Sequence, residues 1–240
     1  MLGGKSMRVH VTSGDLLEAT GINALVNSEN DYMQMARVFE SRTVSSMLRQ
    51  RGAAVGGRYV DTVQRELDAR LGERSRPVAP GEAFATSAGA PDSALWIDNK
   101  VRCIIHVAAV RVSLDDLRVE PIRQESKIRD FVYACLRALR EVNGADGVVS
   151  PAGTPQRAFQ EQRARDGKGQ CRSVLFPLFG TGQGGAKAEE AIGPMLTGIS
   201  GFFANNDNFD FAKDIDDIYI AAYTEPDVVA VSNSLREHFN

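Results

Sequence analysis

Cysteine is scarce in this 240-residue chain: Cys103, Cys135 and Cys171 are the whole complement, and no two form a CxxC pair. A disulfide framework and a cysteine-based zinc site are therefore excluded as organising devices. Cys103 and Cys135 sit in apolar patterns, so buried thiols in a reducing compartment are expected. Histidine is equally sparse. His10, His106 and His238 lie far apart and lack metal-ligand spacing, so neither a metal nor a cofactor is expected. The N-terminus has no apolar signal core, and no apolar run is long enough to span a bilayer. A cytoplasmic protein without a membrane partner is the expectation. Excess positive charge is missing too: 28 Lys and Arg face 31 Asp and Glu, for a net charge of −3. That balance argues against a nucleic-acid partner, which would call for a basic face. The Arg-rich stretch Arg157 to Arg172 is interrupted by Glu161 and Asp166 and reads as a solvated loop.

What is present is an ordinary globular balance, 43% hydrophobic and 25% charged. "MRVHVTSGD" alternates Val9 and Val11 with polar neighbours, a strand and turn. "INALVNS" predicts a second strand ending at Asn27. "GEAFATSAG", "VRCIIHVAAV", "SVLFPLF" and "DIYIAAYT" supply further strands, the second of them apolar enough to be central. Between them, helices are predicted from Thr43 to Gly52, around Val63, Leu67 and Leu71, and over "IRDFVYACLRALREVNG" closed by Gly144. "AEEAIGPMLTGISGFFAN" predicts a helix kinked or interrupted at Pro194, and "PDVVAVSNSLREHF" a last helix with Pro226 in its first turn. Strands alternating with helices predict one α/β domain over residues 8–240, with helices on both faces of a mixed, mostly parallel sheet. Residues 1–7 read as a tail or an appended remnant. Segments 115–126 and 143–172 read as long surface connections.

The stretch "VLFPLFGTGQGGAKAEEA" places Gly180, Gly182, Gly184 and Gly185 at one strand-to-helix turn. Ligands of α/β sheets bind beyond the carboxyl ends of the strands. Glycines let backbone N–H groups approach an anion closely, and a following helix adds unpaired amides and its positive dipole end. The combination is a phosphate cradle; the plainer alternative is a tight turn needing positive φ. No Gly-Lys-Ser/Thr follows, and the turn lies too late for a dinucleotide fingerprint. If the strands are parallel, Asp15 after the first strand and Asn27 and Asn30 at the second reach the same rim. Asp15 can accept from a base amino group or cap a short helix. The Asn pair can contact ribose hydroxyls or form a turn.

Together these stretches resemble the macrodomain family of ADP-ribose-binding α/β/α modules. The resemblance rests, in family order, on Gly14-Asp15-Leu16, "ALVNSEN" (Ala24 to Asn30), Gly81-Glu82-Ala83 with Thr86 and Gly89, "IIHVAAV" (Ile104 to Val110) and "VLFPLFGTGQGG" (Val174 to Gly185). It implies a three-layer α/β/α fold. It also implies roles: Asp15 and the Leu16 backbone at the adenine, Asn30 at the distal ribose, and the backbone amides of Thr181, Gly182, Gln183 and Gly184 around the diphosphate, within the candidate binding set that also holds Asn27, Gly180 and Gly185. Tyr223, ending the last strand, would lie against the base, unless it is simple rim packing. Two departures stand out. The glycine-rich loop that forms the second wall of the diphosphate site is here "DYMQMARVFESRTVSSML", in which Val44 keeps a family position and Arg37 or Arg42 offers charge. Hydrolytic members carry an Asp after that Val; here it is Ser45, and the late-loop aromatic aligns with Gly184. The implied function is binding of ADP-ribose or a related NAD-derived nucleotide, free or linked to an ADP-ribosylated protein. The alternative is an ADP-ribosyl hydrolase or other enzyme of NAD metabolism on the same scaffold, with Glu29 and Asp31, read as surface-turn residues, as substitute acids. A third reading is a scaffold whose cleft is closed by Met33, Met35 or Phe39.

Overall fold

A computed structural model describes residues 7–14, 18–37, 43–54, 59–113, 115, 118–144, 171–181 and 185–239. Seven strands form one sheet in the order β1-β7-β6-β2-β4-β3, with β5 extending β4. They are β1 (Arg8–Ser13), β2 (Ala24–Asn30), β3 (Ala83–Ser87), β4 (Cys103–Val112), β5 (Val119–Pro121), β6 (Ser173–Pro177) and β7 (Asp217–Ala222). The pairs β1–β7, β7–β6, β6–β2 and β2–β4 are parallel; β3 and β5 run antiparallel to β4.

The inner strands read as continuous apolar runs because both faces are covered. Ala24, Val26, Ile105, Val107, Val174, Phe176, Ile218 and Ile220 face one layer of the core. That layer is closed by α4 (Glu125–Val142), α5 (Ala188–Ala204) and α7 (Glu225–Phe239). In α4, Ile128, Phe131, Val132, Cys135, Leu136, Leu139 and Val142 recur at three- and four-residue spacing, which presents one apolar stripe to the sheet. Leu25, Ile104, Ala108 and Leu175 face the other layer, with α1 (Val44–Arg51), α2 (Thr62–Leu71) and α3 (Ala94–Ile97). A short 3₁₀ turn (Asn206–Asn208) and a short α6 (Phe209–Asp214) complete the described helices. All three cysteines are buried and unbridged, and no described helix is long and apolar enough to cross a membrane.

Several expectations change. Strand β2 runs to Asn30 rather than stopping at Asn27, because Glu29 and Asn30 still pair with β4 across a bulge. Helix α5 is not interrupted at Pro194. Proline forfeits one intrahelical bond, the one that would reach the Glu190 carbonyl, but the Gly193 before it offers no Cβ to crowd the ring. Residues 115–126 are not all connection: β5 and the start of α4 lie within them. The connection expected over 143–172 lies outside the described residues from 145 to 170. Helices α3 and α6 are too short for a periodic signal.

Gly89 is fixed by a close approach. Its φ is 91°, and a Cβ there would sit 2.0 Å from the Gly52 carbonyl oxygen, at the end of α1. Gly52 O in turn accepts from Ala90 N and the Thr62 hydroxyl. We expect Gly89→Ala to lower unfolding free energy by about 3 kcal/mol or more, since strain and steric overlap add. Urea unfolding checks this; a loss under ~1 kcal/mol would contradict the contact.

Candidate functional site

Parallel pairing brings the carboxyl ends of β1, β7, β6, β2 and β4 to one edge. The register aligns Ser13 with Ala222 and Pro177 with Ala221. Gly14, Tyr223 and the segment after Pro177 are therefore neighbours along this rim, and Asn30 ends β2 on the same edge. Asp15, Leu16, Gly182, Gln183, Gly184, Phe39 and Arg42 lie outside the described residues.

The loop after β6 is closed at its base. Gly180 has φ 81° and Gly185 φ 63°, both left-handed conformations that favour glycine. The Ala186 amide donates to the Gly180 carbonyl at 3.0 Å. Thr181 departs from its expected role in part: its amide makes a long bond to the Leu178 carbonyl, 3.4 Å, and its hydroxyl donates to the same oxygen at 3.0 Å. Tyr223 is 56% exposed at the end of β7. The next residue, Thr224, caps α7 through Asp227, whose carboxylate accepts from the Thr224 amide and hydroxyl.

Asn27 is not a rim residue. It is 1% exposed and belongs to a buried polar chain that the sequence did not reveal. Its amide nitrogen lies 3.2 Å from His106 Nδ1 and donates to Glu29 Oε1 at 2.8 Å. His106 Nε2 meets the Thr86 hydroxyl at 3.1 Å, and that hydroxyl donates to the Ser87 carbonyl. The chain is self-consistent when His106 is neutral with its proton on Nε2. Burial holds it so, lowering its pKa to about 3.

Glu29 and Asp31 are not surface-turn residues either, being 3% and 4% exposed. Asp31 Oδ1 accepts from the Val112 amide, which ties β2 to β4. Glu29 accepts from Asn27, from the Ser45 hydroxyl and, at 3.4 Å, from Asn30 Nδ2. Burial raises its carboxyl from 4.5 to about 7, against the lowering effect of the Ser45 and Asn27 hydrogen bonds. Consecutive side chains of a strand normally point to opposite faces. The bulge between Glu29 and Asn30 is what brings these two amide and carboxylate groups together.

Asn30 holds its own turn. Its Oδ1 accepts from the Tyr32 and Gln34 amides, and its Nδ2 donates to the Gln34 carbonyl at 2.7 Å. Beyond it, the glycine-free segment is pinned from two helices. Gln64 of α2 accepts from the Met35 amide and donates to the Met33 carbonyl. Arg49 of α1 donates to the Met35 and Ala36 carbonyls and pairs with Asp61. Met33 and Met35 are buried in the core layer under α1 and α2, so they do not lie across the rim as the closed-scaffold reading would need. Val44 opens α1, whose N-cap Thr43 accepts from the Ser46 amide. Arg37 is exposed. The roles of Gln64, Arg49 and His106 depend on contacts distant in sequence, so no local pattern announces them. Among the described residues no group of His, Cys, Asp and Glu could hold a metal.

No protein-family model matches the sequence, and no curated protein does. Solved structures do. A point mutant of the Oceanobacillus iheyensis macrodomain, solved with ADPR, superposes with a TM-score of 0.60 at 16% identity, over 98% of this chain and 95% of that one. The same macrodomain with ADP gives 0.58 at 16% identity, over 98% and 93%. The Trypanosoma brucei macrodomain in complex with ADP-ribose gives 0.56 at 12% identity, over 95% and 68%. The chain has the macrodomain fold.

The two buried titrating groups oppose each other in their effect on stability. Glu29, raised from 4.5 to about 7, contributes stability fully present below pH 4.5 and lost as pH rises through about 7. His106, lowered from 6.5 to about 3, contributes stability present above pH 6.5 and lost as pH falls toward 3. Glu29→Gln removes the first and leaves the second. The stability difference between wild type and Glu29→Gln should therefore shift by about 3 kcal/mol, in favour of the variant, between pH 4.5 and 7.5. Urea titrations across that range measure it; a constant difference would place the Glu29 pKa near that of a free carboxyl.

Proposed function

We propose that this macrodomain binds ADP-ribose or a closely related NAD-derived nucleotide along the carboxyl edge of β1, β7, β6 and β2. The observation that carries the reading is the loop from Gly180 to Gly185, which follows a buried parallel strand, turns through two left-handed glycines and leads into α5. Supporting it, macrodomains of the same fold were solved with ADP and ADP-ribose. In this reading the loop amides, Gly182 to Gly184 included, surround the diphosphate, and Asp15 with the Leu16 backbone takes the adenine amino group. Tyr223 lies against the base, and the Asn30 turn and Val44 border the distal ribose. Thr181 gives up its long amide bond to Leu178 when the anion arrives, because a charged acceptor makes the stronger bond. Asn27 acts from inside, by holding Glu29. The ligand is taken free or on an ADP-ribosylated protein, in a cytoplasmic setting of NAD metabolism.

Binding rather than hydrolysis is the reading the geometry favours. Ser45 is 8% exposed and spends its hydroxyl on Glu29, and Glu29 and Asp31 are buried and engaged. None of the three presents a carboxylate to a bound ribose.

Micromolar affinity corresponds to about 8 kcal/mol, and one stacked base contributes roughly 1–3 kcal/mol by alanine substitution. Titration calorimetry should show ADP-ribose binding near the micromolar range, with Tyr223→Ala weaker by that increment. A folded protein that gives no heat at high micromolar concentration contradicts the proposal. Release of ADP-ribose from a modified protein at enzymatic rates would instead establish the hydrolase reading.

A further inference from the structure

Glu29 is an expensive residue to bury, and three side chains, two from its own strand β2 and one from α1, converge on it. A carboxylate taken out of water costs several kcal/mol unless its oxygens are fully hydrogen-bonded. Here Oε1 accepts from Asn27 of β2 and from Ser45, the second residue of α1, while Oε2 faces Asn30 Nδ2 at 3.4 Å. Ser45 in turn receives the Ala36 amide at 3.1 Å, so the segment between the turn and α1 hangs on the same carboxylate. The two elements that Glu29 joins carry two of the proposed ligand neighbours, Asn30 and Val44. An apolar side chain at position 29 could fill the space but could not tie these elements together.

We infer that Glu29 is a positioning residue of the nucleotide cleft, clamping the start of α1 to the Asn30 turn and so holding the two ribose-side walls at a fixed separation. The inference rests on the proposed nucleotide site. The clamp has two arms with different chemistry. The Ser45 arm needs only an acceptor, which either a carboxylate or a neutral carboxyl oxygen provides. The Asn30 arm needs the second oxygen unprotonated. A proton on Oε2 sets a donor against the Asn30 Nδ2 donor, whose partner Oδ1 is already occupied by the Tyr32 and Gln34 amides. The Asn30 arm therefore opens on protonation while the Ser45 arm stays. Other charges around the carboxylate are fixed or paired. Arg49 faces it from α1 and is held by Asp61, His106 reaches it from β4 through Asn27, and Asp31 turns away to the Val112 amide.

Glu29→Gln reproduces the protonated form, since its amide nitrogen meets Asn30 donor to donor. Ser45→Ala removes the other arm alone. In wild-type protein without ligand, amide exchange protection at Tyr32 and Gln34, corrected for intrinsic rates, should fall as pH drops through about 7, while that of Ala36 holds. Glu29→Gln should show the low-pH pattern at every pH. Ser45→Ala should loosen Ala36 and leave Tyr32 and Gln34 protected. ADP-ribose affinity at pH 8 should drop about tenfold in Glu29→Gln and lose its pH dependence, as the walls are no longer preorganised. A Glu29→Gln protein whose Tyr32 and Gln34 protection, or whose ADP-ribose affinity, follows wild type overturns the inference. If wild type binds no ADP-ribose, the nucleotide site fails instead, and the exchange pattern still decides whether Glu29 is the clamp.

Discussion

Parallel strand pairing is the constraint from which the rest follows. Five strands that all run one way must all end on one edge, and each must reach the next through a crossover. The crossovers become the helices that bury both faces, and the strand ends become a row of loops. Loops gathered this way can hold residues from distant parts of the sequence: Gly14, Asn30, Gly180 and Tyr223 span more than 200 positions yet share one rim. A sheet of hairpins would scatter the same residues over two edges.

The rim is stiffened from below by polar groups inside the core. Thr86, His106, Asn27, Glu29 and Ser45 form an unbroken hydrogen-bond chain running from β3 across β4 and β2 into α1. Buried polar chains are costly where one member lacks a partner and specific where all are satisfied. Here each donor has an acceptor, with a hydroxyl at either end and a neutral histidine and the Glu29 carboxyl on the two sides of Asn27. Apolar packing alone would hold the three strands together, but it would not fix which part of α1 meets which residue of β2.

Much of the fold was legible in the sequence because it rests on local signals. The apolar runs Cys103 to Val110 and Ser173 to Phe176 announced strands buried on both faces, and the stripe of α4 announced its inward side. The glycine cluster marked the strand-to-helix turn after β6. Most of what the sequence hides lies in residues whose meaning depends on distant partners. Asn27 and Asn30 look alike as strand-end asparagines, yet one is buried between His106 and Glu29 and the other braces a turn. Glu29 and Asp31 flank a turn signal and read as solvated, but the β2–β4 bulge folds both into the protein. Pro194 carries a local penalty that the helix absorbs within a packed layer.

Nucleotide binding as proposed requires the carboxyl edge to be one continuous ligand surface. Amide chemical-shift mapping during titration with ADP-ribose tests it directly. The predicted result is a saturable shift confined to Gly14, Asn30 to Gln34, Val44, the turn from Gly180 to Ala186 and Tyr223, with α4 and the opposite strand ends unmoved. Shifts centred instead on the helical faces or on the amino-terminal edge of the sheet, or none at saturating nucleotide, would contradict it.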